Sequence, residues 1–351
     1  MKILFVQKFP CIRNWKMARA LKAKGFNVDL AYTISPASRI YSGLSDDVYA
    51  CCIKVRSARE LKELASSYDI VHSHNEPDDL TVILLSVGVP VIHDSHDMIS
   101  LRPGRNRQEQ QKVDLLEAAA HRGAAGRVYV SDYMLKVAAE RYNVDPQKSV
   151  VFGNYVDKCD IPAVFPPRIK EEGIHLVYQG GLGIRGTHRD FSSIFSCLTA
   201  AGIHLHVYPA AHTAQFAGNL QKSPFLHLHE SKPPSEIITE IAKYDFGIIP
   251  FEITPQNRTF LNQSMPNKLY EYLAAGLPVI APRLFSLEKF ISSTGSGIIY
   301  DHPSEIPARL EELTTIRNTV NVRQFARTYQ EEIMRLIDFY YLIESCKGRR
   351  K

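Results

Sequence analysis

The sequence has few cysteines and no long apolar run. Its six cysteines include no CxxC pair, a pattern typical of proteins in the reducing cytoplasm. No apolar stretch approaches the roughly 20 residues that span a bilayer. The apolar part of the first residues is too short for a secretory signal. We therefore expect a cytoplasmic protein and neither a disulfide-stabilised secreted domain nor a membrane-spanning one.

A strong excess of charge of one sign is also missing. The net charge of +5 at neutral pH is too small to indicate a nucleic-acid binder. Basic residues nevertheless gather in one loop, at the C-terminal tail, and on the first predicted helix, at Arg13, Lys16, Arg19 and Lys22. We interpret these as solvated faces. Attraction to an anionic membrane surface or to a phosphate-bearing acceptor is the alternative.

Strand-like and helix-like segments alternate in two blocks. Apolar strands separated by amphipathic helices are typical of a parallel sheet covered on both faces. At 351 residues the chain is also longer than one hydrophobic core usually supports. We predict an α/β protein of two facing, doubly wound, Rossmann-like domains with the active site in the cleft between them. The predicted parts are a first domain over 1–156, a linker over 157–173, a second domain over 174–321 and a C-terminal helix over about 322–345.

One segment, MPNKLYEYLAAGLPVIAP from Met265 to Pro282, carries most information. Its prolines and glycine predict a helix with a sharp start and stop, followed by a buried strand. Lys268 and Glu271 lie three residues apart, so they share one face of the first helical turns. A cation, a carboxylate and a helix amino end suit a ligand with phosphate and hydroxyl groups, such as a nucleotide sugar. An ordinary surface ion pair is the alternative.

Polar residues follow two predicted strands of the first block. They occupy His72–Glu76 and His93–Asp97, so both runs belong at the same edge of a parallel sheet. Histidine and aspartate are competent zinc ligands, but no HExxH spacing and no cysteine partner accompanies them, and we predict no metal site. Binding and polarising a sugar fits better. For any single histidine, a structural role is the alternative.

A glycine-rich turn opens the second block. It contains Gly180 and Gly181, whose backbone amides can approach a phosphate, and Arg185, which can grip one with two hydrogen bonds. Together with Lys268, this arginine predicts a pair of cations flanking one diphosphate. Simple flexibility is the alternative explanation of the glycines.

A fourteen-residue segment, Phe251 to Ser264, precedes the Lys268 helix without an evident element of its own. We expect its end, from Gln263 to Met265, to present backbone amides to the sugar. No DxD pair suited to a metal–diphosphate complex is evident. The charge of the leaving group would then be offset by Arg185, Lys268 and the helix dipole.

These motifs together resemble the retaining glycosyltransferases of family four, which have the GT-B fold. The resemblance covers most of the chain, and its last segment is the most specific. Its segments are Asp69–Asn75, Pro90–Ile92 with His96 and Asp97, Val130–Ser131, Asn154, Gly180–Gly181 with Arg185–Gly186, and Asn267–Ile280.

The resemblance implies a role for each matched residue. Glu271 would bind the ribose hydroxyls of the donor, and Arg185 and Lys268 would hold its diphosphate. His96 would lie near the transferred sugar with Asp97 beside it, and both are the catalytic candidates. The acceptor would bind mainly to the N-terminal domain, against which the C-terminal helix would pack. The further candidates are Gly180, Gly181, Gln263 and Met265 on the donor side, and His74, Asn75 and Arg102 on the acceptor side.

Three positions depart from the family pattern. Gln263 stands where many members carry a glutamate, and Gly181 stands where they carry a phosphate-binding arginine. The first strand is followed by Lys8–Cys11 instead of a glycine-rich turn. Acceptor binding at that turn is therefore not carried over to this chain.

The sequence predicts a metal-independent glycosyltransferase without a cofactor. We expect a UDP- or GDP-linked donor, a glycan or glycolipid acceptor, a place in cell-surface polysaccharide biosynthesis, and peripheral contact with the inner face of the membrane. A nucleotide-sugar 2-epimerase of the same fold is one alternative. A catalytically silent partner subunit is another.

Overall fold

The computed structural model describes residues 1–36 and 43–346. The chain divides into two compact units. The N-terminal unit contains Met1–Asn154 and Tyr329–Lys351, and the second unit contains Tyr155–Thr328. The predicted basic tail, from residue 347 on, lies outside the described residues. Among the described helices, none combines the length and the apolar character needed to cross a bilayer.

The N-terminal unit is built on a seven-stranded parallel sheet with the order β3-β2-β1-β4-β5-β6-β7. Its central strands β1, β4 and β5 are buried along their whole length, as expected when helices cover both faces. The strand order reverses between β1 and β4, which is where doubly wound sheets bind ligands. The strands are β1 Ile3–Gln7, β2 Val28–Tyr32, β3 Cys51–Lys54, β4 Ile70–His74, β5 Val91–Ser95, β6 Gly126–Tyr129 and β7 Ser149–Val151.

Side-chain caps define where several helices of this unit begin. Asn106 accepts a hydrogen bond from the backbone of Glu109, whose side chain bonds back to Asn106, and Ser131 caps the next helix in the same sense. Such caps satisfy backbone donors that the first helical turn leaves free. The helices are α1 Ile12–Ala23, α2 Ala58–Ala65, α3 Asp79–Leu84, α4 Arg107–Gly123 and α5 Asp132–Tyr142.

The second unit repeats this plan with six parallel strands in the order β10-β9-β8-β11-β12-β13. The order reverses between β8 and β11, so the turn after β8 lies at the ligand-binding position. The strands are β8 His175–Gly180, β9 His204–Pro209, β10 Leu226–Leu228, β11 Phe246–Ile248, β12 Val279–Pro282 and β13 Gly297–Tyr300. The helices are α6 Ser192–Ala200, α7 Pro234–Ile241, α8 Arg258–Leu261, α9 Asn267–Ala275, α10 Phe285–Thr294 and α11 Leu310–Thr319.

The C-terminal helix is shorter than predicted. A short 3₁₀ turn, Val322–Phe325, ends before the α-helix α12, Tyr329–Ser345, begins, so the expected continuous helix from residue 322 is wrong. The apolar spacing runs through both segments, and spacing alone does not reveal the break between them. Tyr340 of α12 hydrogen-bonds His72 through a 2.6 Å contact to Nδ1, which ties α12 to the sheet of the N-terminal unit.

Two segments without predicted structure are ordered parts of the second unit. The expected linker, residues 157–173, donates a hydrogen bond from Ile169 N to Lys243 O at 2.9 Å. The segment before α9 contains the short helix α8, so the prediction that it lacks an element is wrong. Further 3₁₀ turns are Asp46–Val48, Ile99–Leu101, Pro146–Lys148, Lys158–Asp160, Ala211–Asn219, Pro303–Glu305 and Pro307–Arg309.

Five histidines lie side by side across the neighbouring strands β8, β9 and β10 of the second sheet, a cluster that we call the histidine ladder. Its members are His175, His204, His206, His227 and His229. The Nδ1 atom of His206 lies 3.0 Å from Nε2 of His229, and its Nε2 atom lies 2.9 Å from Nδ1 of His175. Burial and the neighbouring imidazoles lower the pKa of His206 to about 2. A chain of imidazoles that hydrogen-bond head to tail is consistent with neutral rings.

Acid is therefore expected to destabilise the second unit. The pKa of His206 in the folded protein lies below its value in the unfolded chain. The free energy of unfolding therefore keeps the full contribution of His206 above about pH 6.5 and loses it as the pH falls below that value. Each histidine that stays neutral in the folded protein lowers the free energy of unfolding by about 1.4 kcal/mol per pH unit in this range. Urea unfolding at several pH values between 7 and 5 should show this fall, and His206→Phe should reduce the slope. Equal slopes in both proteins would contradict the assignment.

Candidate functional site

The N-terminal unit places a buried carboxylate at the end of β5. Asp94 is fully buried and accepts hydrogen bonds from Arg13 Nε at 3.1 and 3.3 Å and contacts His72 Nε2 at 3.1 Å. Burial alone would raise the pKa of Asp94, but the charges of Arg13 and then His96 hold it well below its usual range. Asp94 is thus an ionised anchor at the ligand-binding edge of the sheet.

Arg13 is this carboxylate's partner, and the prediction that the basic residues of α1 form a solvated face is wrong for Arg13 and Lys16, whereas Lys22 is exposed. Arg13 and Lys16 are both only 2% exposed. The guanidinium of Arg13 also donates to Phe152 O at 2.7 Å and to Gly153 O at 2.8 Å. It therefore joins α1 to the end of the N-terminal unit. No sequence spacing links Arg13 to a carboxylate 81 residues away.

Two histidines of β4 complete this cluster. His72 and His74 are fully buried, and burial is the first cause that lowers the pKa of each ring, so both are neutral near pH 7. Within the described residues, His72, His74 and Asp94 form one group whose spacing would allow a metal ion. The guanidinium of Arg13 already supplies positive charge to both oxygens of Asp94.

His96 lies at the mouth of this cluster, where its side chain is 17% exposed. Its Nε2 atom is 3.2 Å from His74 Nδ1 and 3.5 Å from Asp94 Oδ1. Burial would lower its pKa, but Cys11 and then Asp94 raise it above the ordinary value. The protonated imidazole is therefore favoured at the predicted catalytic position more than in an ordinary histidine.

Asn75 and Arg102 form hydrogen bonds to the turn that follows β5, which contains His96 and Asp97. The side chain of Asn75 is buried, donates to Asp97 O at 2.6 Å and accepts from His96 N at 2.9 Å. Arg102 bonds to Asp97 Oδ2 at 2.9 Å and to Glu76. The structure brings the predicted acceptor-side residues together, with Asn75 supporting the turn and the side chains of Asp97 and Arg102 at the surface.

In the second unit, helix α9 forms as its sequence predicts. Pro266 precedes it, and Gly276 ends it in the left-handed conformation with φ +83°. Lys268, in the first turn, places Nζ 4.2 Å from the centroid of the Tyr178 ring. Burial, followed by the charge of Arg189, lowers the pKa of Lys268 to about 7. The free protein therefore holds this lysine only partly charged at neutral pH.

Glu271 points toward the same turn. It is 7% exposed and accepts a hydrogen bond from the side chain of Gln179. The hydroxyl of Tyr272 accepts from Gln179 N at 3.2 Å and donates to Ile248 O at 3.0 Å. This hydroxyl joins α9 to β8 and β11, which fixes Glu271 at the point where the strand order reverses.

The glycine turn is flanked by a different arginine from the predicted one. A Cβ atom on Gly180 would lie 3.0 Å from Lys268 Nζ, and one on Gly181 would lie 2.8 Å from Arg189 Nη1. Glycine leaves room for these two cations. Arg185 is exposed on the turn and lowers the pKa of nearby Asp190, where hydrogen bonds from Ser192 and Gly186 act more strongly. Sequence reasoning missed Arg189 because the turn folds back at residues 186–189.

The remaining donor-side candidates lie inside the unit. Gln263 is fully buried and Met265 is 8% exposed. The backbone N–H of Ser264 donates to Leu261 O at 2.9 Å, because α8 ends there. Of the three expected backbone donors, that of Ser264 is therefore already used within the loop.

Two family models match the chain. Residues 13–158 match Glycosyltransferase Family 4, and residues 188–335 match the C-terminal domain of the glucosyltransferase 3-like family. The two matches correspond to the two Rossmann-like units. No curated protein sequence matches the chain.

Solved structures share the architecture at low sequence identity. HepE of Anabaena, in complex with UDP-glucose, is 12% identical and has a TM-score of 0.65, with 99% of each chain covered. Sucrose-phosphate synthase of Thermosynechococcus elongatus is 13% identical and has a TM-score of 0.60, with 99% of this chain and 98% of that chain covered. WaaG, a glycosyltransferase involved in lipopolysaccharide biosynthesis, is 14% identical with the same TM-score of 0.60 and the same coverage, 99% and 98%. The family 4 match over residues 13–158 and the fold shared with solved glycosyltransferases together support a family 4-like glycosyltransferase with the GT-B fold.

Proposed function

We propose that this glycosyltransferase binds a nucleotide-sugar donor on its second unit and transfers the sugar with retained configuration. The observation that carries the proposal is the pair Lys268 and Arg189 over Gly180 and Gly181. Neither side chain forms an ion pair within residues 1–36 and 43–346, although burial penalises the charge of Lys268. Two cations without an ion-pair partner, beside a glycine turn whose backbone has no side chains to block it, suit a diphosphate.

Glu271 supplies the second half of the donor site. Glu271 follows Lys268 by three residues on α9, and a carboxylate at this place suits the ribose hydroxyls. We expect a UDP- or GDP-linked sugar. The HepE structure contains UDP-glucose, which supports the uridine nucleotide as the first candidate.

We assign the acceptor and the catalytic groups to the N-terminal unit. His96 would contact the transferred sugar through its imidazole, with Asp97 and Arg102 nearer the acceptor. The proposed reaction is a front-face displacement in which the leaving phosphate accepts the acceptor's proton, so that no dedicated protein base is needed. Lys268, Arg189 and the amino end of α9 would offset the charge of the leaving diphosphate.

The proposed acceptor is a glycan or glycolipid of a cell-surface polysaccharide, made at the cytoplasmic face of the membrane. The similarity to WaaG, which acts in lipopolysaccharide biosynthesis, supports this class of product. Flotation with anionic liposomes tests the membrane contact, and neutral liposomes are its control.

A thermal-shift panel of UDP-, GDP-, ADP- and CMP-sugars tests donor binding. The cognate donor should raise the melting temperature, because a ligand that binds only the folded state stabilises it by mass action. Arg189→Ala should weaken this shift, whereas Arg185→Ala should change it less. No shift with any nucleotide sugar would contradict the proposal. Turnover of the donor without an acceptor would instead indicate an epimerase.

A further inference from the structure

The thiol of Cys11 and the imidazole of His96 face each other in the N-terminal unit. Cys11 directly precedes α1 and is partly exposed. Its Sγ atom lies 3.8 Å from His96 Nδ1. On the other side of the ring, Asp94 Oδ1 lies 3.5 Å from Nε2. A thiol, an imidazole and a buried carboxylate are therefore in consecutive contact, an arrangement that activates nucleophilic cysteines in enzymes.

Three features of this place favour the thiolate form. The imidazole of His96 is stabilised as a cation by Asp94, the amino end of the twelve-residue helix α1 lies at Cys11, and the backbone N–H of Asn14 bonds to the sulfur. Burial opposes ionisation, but the charge and hydrogen bond of His96 outweigh it, and the pKa of the Cys11 thiol is lowered. Thiolates form in such electropositive, partly exposed places.

Cys52 shows the opposite environment in the same unit. Burial and then the charge of Asp46 raise the pKa of Cys52 to about 12. A partly exposed cysteine is therefore not ionised here by default. The difference between the two residues lies in the histidine and the helix end that only Cys11 has.

We propose that Cys11 and His96 form a thiolate–imidazolium pair, and that Cys11 is a site of oxidation by peroxides and of alkylation by soft electrophiles. This inference goes beyond the transfer reaction, which uses no thiol. The charged or titratable groups around the pair are Arg13 from α1, His72 and His74 from β4, His93 and Asp94 from β5, and Tyr49.

The oxidation step balances with hydrogen peroxide as the oxidant. The thiolate sulfur attacks one peroxide oxygen, so an S–O bond forms while the O–O bond breaks. The departing hydroxide takes the proton of the His96 imidazolium and leaves as water. The products are a sulfenic acid on Cys11 and a neutral His96. With iodoacetamide, an S–C bond forms and iodide leaves.

The pH dependence of alkylation tests the pair. The full-length protein is treated with limiting iodoacetamide between pH 6 and 8, and modification of Cys11 is followed by peptide mass spectrometry. An ordinary thiol loses roughly 75-fold in rate from pH 8 to pH 6, because its thiolate fraction falls by that factor. We expect the rate at Cys11 to fall several times less than this, because a lowered pKa leaves a larger thiolate fraction at pH 6. N-acetylcysteine sets the ordinary profile, and exposed Cys159 shows that the reagent reaches the protein.

The pH dependence of the alkylation rate decides whether the pair exists, because partial burial changes the absolute rate but not its dependence on pH. A fall at Cys11 that parallels N-acetylcysteine would overturn the proposal, and so would a Cys11 that does not react. His96→Asn should restore the ordinary profile. If that variant does not fold, the wild-type profile still decides.

Peroxide provides a second readout. After brief treatment, dimedone should label Cys11 and should not label Cys11→Ser at the same peptide. Loss of transferase activity should follow the labelling in the wild type and be slower in Cys11→Ser, each measured against its own untreated rate. The labelling needs no activity, so it separates a failure of this proposal from a failure of the proposed function.

Discussion

Replacement of Lys268 by Met should weaken donor binding by about 10- to 150-fold, because a hydrogen bond to a charged group contributes about 1.5–3 kcal/mol. The side chain lies partly exposed beside the Tyr178 ring and forms no ion pair in the described parts of the chain. An apolar side chain of similar length should therefore leave folding intact or stabilise it. Calorimetric titration with the cognate nucleotide sugar measures the loss.

The same lysine should make donor binding depend on pH. The pKa of Lys268 in the free protein is about 7, and a bound diphosphate favours the ammonium and raises that pKa. Between these two values, binding takes up a proton, so affinity falls as the pH rises above 7. At pH 8 only about a tenth of the free protein is competent, and binding should be about tenfold weaker than at pH 6.

The design of this experiment depends on the ligand and on the variants. Each phosphate of a nucleotide sugar has one ester bond and one anhydride bond, and its single acidic group stays ionised over this range, so the intact donor is preferable to free UDP. Lys268→Met should lose the pH dependence together with the affinity. Lys222→Met, at an exposed position of the same unit, should retain both. A pH-independent wild-type affinity would show that Lys268 does not contact the diphosphate.

Replacement of Glu271 by Gln is expected to reduce donor affinity by roughly 150-fold, or about 3 kcal/mol. The carboxylate has the charge and the two acceptor oxygens that adjacent hydroxyls require, and an amide of the same size lacks the charge. Glu271→Ala should lose at least as much. Its effect includes the amide of Gln179, which loses its partner. Steady-state transfer kinetics and calorimetry both measure the change.

A 2′-deoxyribose analogue of the donor makes this test specific. The wild type should bind the analogue more weakly than the donor, whereas Glu271→Gln should discriminate between them much less. Glu230→Gln, at an exposed position of the second unit, is the matched control and should behave as the wild type. If Glu271→Gln and the wild type discriminated equally between the donor and its analogue, Glu271 would not be the residue that binds the ribose hydroxyl.

The local parts of the donor site followed from the sequence. Pro266, Gly276 and the spacing of Lys268 and Glu271 predict helix α9, and the structure confirms it as Asn267–Ala275. These features act within one or two helical turns, so neighbouring residues are enough to specify them. The alternation of strands and helices likewise predicted two Rossmann-like sheets, and the strand orders confirm them.

The electrostatic partners did not follow from the sequence. The sequence places Arg13 on a basic helix face, yet its guanidinium contacts Asp94 on strand β5. Arg185 has the expected spacing after the glycines, yet Arg189 is the side chain beside Gly181. Such pairs depend on how a turn folds back or how strands are ordered in a sheet, and neither leaves a periodic signal.

The sequence by itself determined the fold class, the family resemblance and the helix that carries Lys268 and Glu271, because these depend on periodicity and on short-range capping. Only the tertiary structure decided which charges are buried and what faces them. Burial and contact set the state of Lys268, Asp94 and His96, and they brought Cys11 to His96 across 85 residues. Burial and contact both depend on how distant segments pack. A charge that packing removes from water is stabilised by a partner elsewhere in the chain.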